Sequence, residues 1–334
     1  MRAVIFEKAG LENLRLTNDA GEPQITDHDV LIKVRLAGVN PIDQIVISGA
    51  LPLSPMPHIP GAEMAGTIEK VGNHVRVLNK GDRVIVYNRL FDGTCDLCLI
   101  GCENICRNAG RIGANSNGGF AEYVAAPQQN VVKIPDDLNW DIAVSLPVTG
   151  LTPFHALMEA SLRFNETLVV FGASGSTGMM ATQIGKRMGA KVIAVSKEEW
   201  TKDFGADHVI TDYENVPKEV KELTNDKMAD VVLNSVGAKT WDSSFKSVGI
   251  NGRLVTFGGL TGPGVNLDIQ SLYSKQIKLI GSTGGTRAQL KELIDSLAKE
   301  VKVKVWKRFG LEDAREAIQA LSSKDRAGRI VLDV

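Results

Sequence analysis

Leu168-Val169-Val170-Phe171-Gly172-Ala173-Ser174-Gly175-Ser176-Thr177-Gly178 decides the fold. An apolar strand-like run meets three glycines in a G-x-x-G-x-x-G string, and Met179-Met180-Ala181-Thr182-Gln183-Ile184 then takes up helical spacing. Glycines there let the chain turn tightly and bring the N–H groups of a helix start against a pyrophosphate. A glycine turn between any strand and helix produces the same string, so the context decides. Further apolar runs over residues 191–195, 208–211, 230–234 and 253–257 alternate with helix-period segments such as 177–188 and 241–248. That is the rhythm of βαβ units building a parallel sheet, with a sixth strand expected at 276–282. The expectation is an α/β Rossmann domain over residues 139–282, with Gly172, Ala173, Ser174, Gly175, Ser176, Thr177 and Gly178 cradling a dinucleotide phosphate.

Which dinucleotide is read at the end of the second strand, where an acidic side chain would accept the ribose hydroxyls of NAD. The chain there is Ile193-Ala194-Val195-Ser196-Lys197, a hydroxyl and a cation, which points to the 2′-phosphate of NADPH. Glu198 and Glu199 follow directly and would serve NAD if the strand ended one residue later.

Upstream, residues 1–138 read as short β-segments (3–6, 30–37, 63–71, 83–87 and 121–125) broken by Gly, Pro and Asp. This predicts a β-rich barrel or sandwich. Trp140 to Met158 is rich in helix formers and predicts a connecting helix, while residues 283–334, including a helical stretch over 287–299, are expected to return to the first domain.

All four cysteines, Cys95, Cys98, Cys102 and Cys106, fall within twelve consecutive residues. Cys95-x-x-Cys98 is a metal-knuckle spacing, Cys106 offers a third thiolate, and the fourth ligand is either Asp92 or Cys102. A closed set of four would hold a structural zinc in a loop with little core of its own.

With 38 basic and 39 acidic residues and no long run of either sign, nothing marks a nucleic-acid or anionic-membrane surface. No apolar run reaches the length of a membrane span. The N-terminus enters a strand pattern directly, and the expected compartment is cytoplasmic. At 334 residues and 43% hydrophobic content, two globular domains acting on a small molecule are expected.

With these motifs in hand, the chain resembles the medium-chain dehydrogenase/reductase superfamily of zinc alcohol dehydrogenases and zinc-free quinone and enone reductases. The resemblance covers essentially the whole length. It rests on Gly38-Val39-Asn40-Pro41-Ile42-Asp43, Pro60-Gly61-Ala62-Glu63, Lys80-Gly81-Asp82-Arg83-Val84, Gly119-Phe120-Ala121-Glu122-Tyr123, Leu146-Pro147-Val148-Thr149-Gly150 and Gly328-Arg329-Ile330-Val331. It implies a GroES-like catalytic domain beside the Rossmann domain, and a zinc lobe whose ligands match Asp92, Cys95, Cys98 and Cys106. The family's catalytic zinc ligands match Asn40, Ala62 and Val148, none of which is a metal-binding side chain here. The resemblance therefore implies hydride transfer from NADPH to a quinone or conjugated carbonyl without a catalytic zinc. By the same resemblance Asn40 and Asp43 line the pocket, Thr152 meets the nicotinamide ribose or ring, and Arg329 reaches the cofactor pyrophosphate. The plain alternatives are that Asn40 caps a turn, Asp43 caps the following helix and Thr152 bonds a helix carbonyl. The family also implies a homodimer, paired along the last Rossmann strand, or a homotetramer. The competing readings are a zinc-type alcohol dehydrogenase and a non-enzymatic, crystallin-like NADPH binder.

Overall fold

The computed structural model describes all 334 residues, which divide into two compact units: Met1–Val148 with Thr286–Val334, and Thr149–Gly285. The return of the C-terminal segment to the first unit matches the expectation. The first junction does not, because it lies at Val148 rather than at residue 138. The reason is local. The helix Trp140–Val144 packs on the strands Asp29–Val39 and Glu63–Val71 of the first unit, then Pro147, which lacks an N–H, interrupts regular α geometry with a π turn at Leu146–Gly150. The expected single helix is thus two, the second being Leu151–Glu159.

The second unit is a six-stranded parallel sheet in the spatial order His208–Ile210, Lys191–Val195, Thr167–Phe171, Ala229–Asn234, Val248–Thr256, Lys278–Gly281. By chain order this is 3-2-1-4-5-6, the doubly wound arrangement. The middle strands are almost wholly apolar because helices cover both faces, and Val169, Phe171, Ile193, Val195, Val232 and Leu254 form one buried cluster. Burying each such side chain contributes about 1.5–3 kcal/mol.

In the first unit, the long strand Asp29–Val39 organises a seven-stranded sheet. One edge pairs with Glu63–Val71, and the other is shared by Tyr123–Pro127 and the C-terminal strand Arg329–Asp333. The register sets Gly38 opposite Glu63 and Ile330 opposite Val39. These pairings carry Asn40, Glu63 and Arg329, far apart in sequence, to one point. No helix is long and apolar enough to cross a membrane.

Candidate functional site

The glycine loop forms as the sequence requires. Gly172 adopts φ 71°, in the left-handed region that favours glycine, and the helix Ser176–Arg187 starts immediately after Gly175. A Cβ on Gly178 would collide with the Gly172 carbonyl and approach the Ala173 Cα to 2.8 Å, so that glycine is what lets helix and strand close together. Ser174, Gly175, Ser176 and Thr177 are half-buried, their backbone lying at the start of a twelve-residue helix. Residues and geometry fit a dinucleotide pyrophosphate.

At the end of the second strand, Ser196 is buried and its Oγ accepts the Glu198 N–H at 3.0 Å. The Lys197 side chain is exposed, and the Glu198 carboxylate accepts the Trp200 indole N–H at 3.0 Å. Glu199–Phe204 is a short 3-10 turn, with Glu199 paired to Lys202 at 2.8 Å. Both acids that could have bound ribose hydroxyls therefore have local partners. Thr152 lies half-buried in the first turn of Leu151–Glu159.

In the first unit the catalytic-zinc positions of the family converge on Glu63, which has no solvent exposure. One of its oxygens accepts the Val148 N–H at 2.7 Å; the other accepts Asn40 Nδ2 at 2.8 Å and pairs with the Arg329 guanidinium. Arg329, itself fully buried, also donates to Asn40 Oδ1 at 2.7 Å. A Cβ at Gly38 would collide with this guanidinium, so any larger residue there must displace it. Arg329, expected at the cofactor pyrophosphate, is held here by a buried carboxylate within its own unit.

Asn40 and Asp43, expected beside the pocket or as caps, form the cap of the helix Pro41–Ile47. The Asn40 N–H donates to Asp43 Oδ2 at 2.8 Å, half of a capping box at the start of Pro41–Ile47, and the Ala62 N–H donates to Asp43 Oδ1 at 2.9 Å. Both residues brace the knot around Glu63. Burial pushes the Asp43 carboxyl up to about 7, against the pull of the two N–H donors. Its folded-state pKa then exceeds the unfolded one, so the folded chain binds the extra proton, and stability contributed by this group is lost as pH rises from about 4 to 7. We expect Asp43→Asn to flatten that decline. Urea unfolding at pH 5, 6 and 7 measures it, and parallel slopes for wild type and variant would refute the assignment.

The thiolate loop gathers Asp92, Cys95, Cys98 and Cys106, whose ligand atoms all lie within 4.8 Å of one another; Cys102 is outside this set. A tetrahedral zinc with Zn–S bonds of about 2.3 Å sets its sulfurs roughly 3.8 Å apart. Cys95 Sγ and Cys106 Sγ are 3.8 Å apart. The N–H groups of Cys95 and Thr94 and the Asn108 amide all donate to Asp92, holding its carboxyl well below the usual carboxylate range and hence in ligand form. The donor set fits a structural zinc.

Sequence reasoning found the cradle and the thiolate loop. It missed Glu63 as the centre of a buried knot, since nothing local marks a partner 266 residues away. His58, given no role, is buried with Nε2 2.9 Å from the Gly113 carbonyl oxygen and its ring edge-on to Phe6, a packing arrangement.

Comparison with known proteins accords with both units. Residues 26–136 match the alcohol dehydrogenase GroES-like domain and residues 176–299 the zinc-binding dehydrogenase domain. An alcohol dehydrogenase of Geobacillus stearothermophilus is 34% identical, with 100% of each chain covered. An acryloyl-coenzyme A reductase of Metallosphaera sedula is 32% identical over 99% of both. The solved structure of a thermostable alcohol dehydrogenase from Pyrobaculum aerophilum superposes with a TM-score of 0.92 at 40% identity, covering 100% of this chain and 99% of that one. The chain belongs to the medium-chain dehydrogenase/reductase superfamily and is an oxidoreductase of that family.

Proposed function

We propose that the chain is an NADPH-dependent reductase of quinones or conjugated carbonyls that works without a catalytic zinc and carries one structural zinc. The observation that supports this most is the saturation of Glu63. The three family metal positions hold an amide, a methyl and an isopropyl group, and the adjoining Glu63 carboxylate is engaged by Asn40, Val148 and Arg329. Such a donor set does not grip a divalent cation. Without a Lewis acid, hydride transfer to an isolated ketone leaves a localised alkoxide, whereas a conjugated acceptor spreads the charge.

NADPH, when bound, supplies the hydride from its C4. The chain's own residues hold and orient it: the N–H groups of the Gly172–Gly178 loop at the pyrophosphate, Ser196 and Lys197 at the 2′-phosphate, and Thr152 toward the nicotinamide end. Asn40, Asp43, Glu63 and Arg329 keep the first unit's wall rigid, and the proton comes from solvent.

The name of the acryloyl-coenzyme A reductase relative favours a conjugated acceptor, and that of the alcohol dehydrogenases favours the zinc-type reading. Oxidation of NADPH with a panel of quinones and enones, together with metal analysis, separates them. The proposal expects turnover and one zinc per chain; two zinc ions would favour the alcohol dehydrogenase, and no turnover with any acceptor the non-enzymatic binder. Lys197→Glu is expected to raise the NADPH dissociation constant at least tenfold, about 1.4 kcal/mol, while leaving that for NADH nearly unchanged. Equal effects on the two would remove the 2′-phosphate assignment.

A homodimer paired through the edge strand Lys278–Gly281 is part of the same reading. That strand is largely exposed, and Ile269, Tyr273 and Leu279 add exposed apolar surface to the unit that carries it. The substrate is a small molecule, with no nucleic-acid or membrane partner, and the compartment is cytoplasmic.

A further inference from the structure

The thiolate loop is closed at its base by a short ribbon, Arg89–Leu90 paired with Gly110–Arg111. Between that loop, the strand Val131–Lys133 and the helix Arg287–Leu297 the first unit holds a cavity of about 590 Å³. Small-molecule sites span about 300–1,000 Å³, with mostly apolar walls and a few placed polar groups. The wall here is aliphatic: Leu78, Val131, Val132 and Ile294 line it and are themselves buried. Phe91 closes one side, and Val77 stands at the mouth 76% exposed, an apolar side chain left in water. The helix turns Leu290, Leu293 and Ile294 inward and leaves Ala288, a bare methyl, on the exposed rim, so nothing from that side covers the opening.

The charged residues of the rim are matched with one exception. Lys133 pairs with Asp82 at 2.6 Å, Lys291 pairs with Asp295 at 2.6 Å, and the Glu103 carboxylate accepts the Arg287 backbone N–H at 2.6 Å. The Arg287 guanidinium is left with no hydrogen bond or ion pair in the chain, although it borders an apolar cavity. A planar, five-donor cation beside aliphatic walls suits a carboxylate that carries a hydrocarbon tail, through parallel charge-assisted hydrogen bonds. One unmatched guanidinium calls for one negative charge. A dianion would meet Glu103 and Asp295 on the same rim.

We infer that this cavity is a binding site for a small aliphatic carboxylate, with the tail against Leu78, Val131, Val132 and Ile294 and the carboxylate on Arg287. None of its lining residues belongs to the phosphate cradle, to the Glu63 knot or to the four-ligand set, so the site stands whatever the chain reduces. It bears on the metal loop all the same. Phe91 directly precedes Asp92, and Glu103 lies between Cys98 and Cys106, so an occupant touches the loop at two points and favours its closed form. Occupancy therefore slows zinc loss, a consequence that rests on the structural zinc.

Octanoate and its neutral amide, octanamide, are the probes, titrated calorimetrically into the zinc-loaded protein with saturating NADPH filling the cradle. Wild type should bind octanoate about tenfold more tightly than octanamide. Arg287→Ala should erase that preference and Arg287→Lys restore part of it, while Ala288→Trp, which fills the mouth from an exposed helix position, should weaken both probes about tenfold. NADPH affinity, unchanged in all three variants, shows that they fold. Octanoate binding that is the same in wild type, Arg287→Ala and Ala288→Trp would place the ligand elsewhere and overturn the inference. Saturating octanoate should also slow the transfer of zinc to a chelator about threefold in wild type and leave it unchanged in Ala288→Trp. Equal slowing in both proteins would overturn the placement beside the loop. If the chain binds octanoate with the same dependence on Arg287 yet holds no stoichiometric zinc, the metal reading fails and the site survives.

Discussion

Replacing Cys106 by serine is expected to abolish stoichiometric zinc and to lower the unfolding midpoint by about 10 °C. Residues 92–106 include three apolar side chains turned to solvent, Leu99, Ile100 and Ile105, while Cys106 is the one member of the four-ligand set that is buried. A loop built that way has no core to fall back on, so metal binding free energy is folding free energy for it. In isolated zinc fingers this amounts to about 10–16 kcal/mol. Here the neighbouring strands have cores of their own, and the loop residues are absent from both buried clusters of the unit apart from the flanking ribbon. Only part of the metal's contribution therefore reaches the global equilibrium. A loss of about 3–5 kcal/mol, at roughly 2–4 °C per kcal/mol for a body of this size, gives the expected shift. Hydrogen exchange should show the loss concentrated in residues 92–106, and treating wild type with a chelator should reproduce it. A variant that kept one zinc per chain, or lost protection uniformly, would show that Cys106 is not a ligand.

The cradle and the metal loop could be read from the sequence because each is written in consecutive residues. Gly172, Gly175 and Gly178 are required by backbone approach within seven positions, and Asp92 to Cys106 by ligand reach within fifteen. The strands Glu63–Val71 and Lys191–Val195 lie where their apolar patterns put them. The strand Val305–Gly310 was not foreseen: it is half exposed and carries Lys307 and Arg308, so it lacks the apolar run that announces a strand. The Trp140–Met158 segment misled because helix propensity dominates it, whereas Pro147 and packing on the first unit decide where it breaks. Arg329 shows a different limit. A cation in a strand looks the same in sequence whatever it meets. Only the register that sets Ile330 against Val39 brings Arg329 beside Glu63.

Glu63→Gln should destabilise the chain by about 3–5 kcal/mol, because it removes the only acid paired with a guanidinium that has no access to water. Glutamine preserves the size of the side chain and can still accept from Val148, so cavity formation is not the cause; the cost is an uncompensated buried charge. Arg329→Met should cost a similar amount by stranding the carboxylate. The double variant, Glu63→Gln with Arg329→Met, removes both members of the buried ion pair and should recover most of the loss, since a buried ion pair replaced as a unit is often close to neutral. The pair's coupling, read from the four-member cycle by urea unfolding, should exceed about 2 kcal/mol. Additive effects, or a Glu63→Gln variant within about 1 kcal/mol of wild type, would mean that the pair opens to solvent. Metal content completes the argument. If Glu63 served a catalytic ion, its removal would lower the zinc count, whereas a carboxylate consumed by Asn40, Val148 and Arg329 predicts the same single zinc per chain in wild type, both single variants and the double variant.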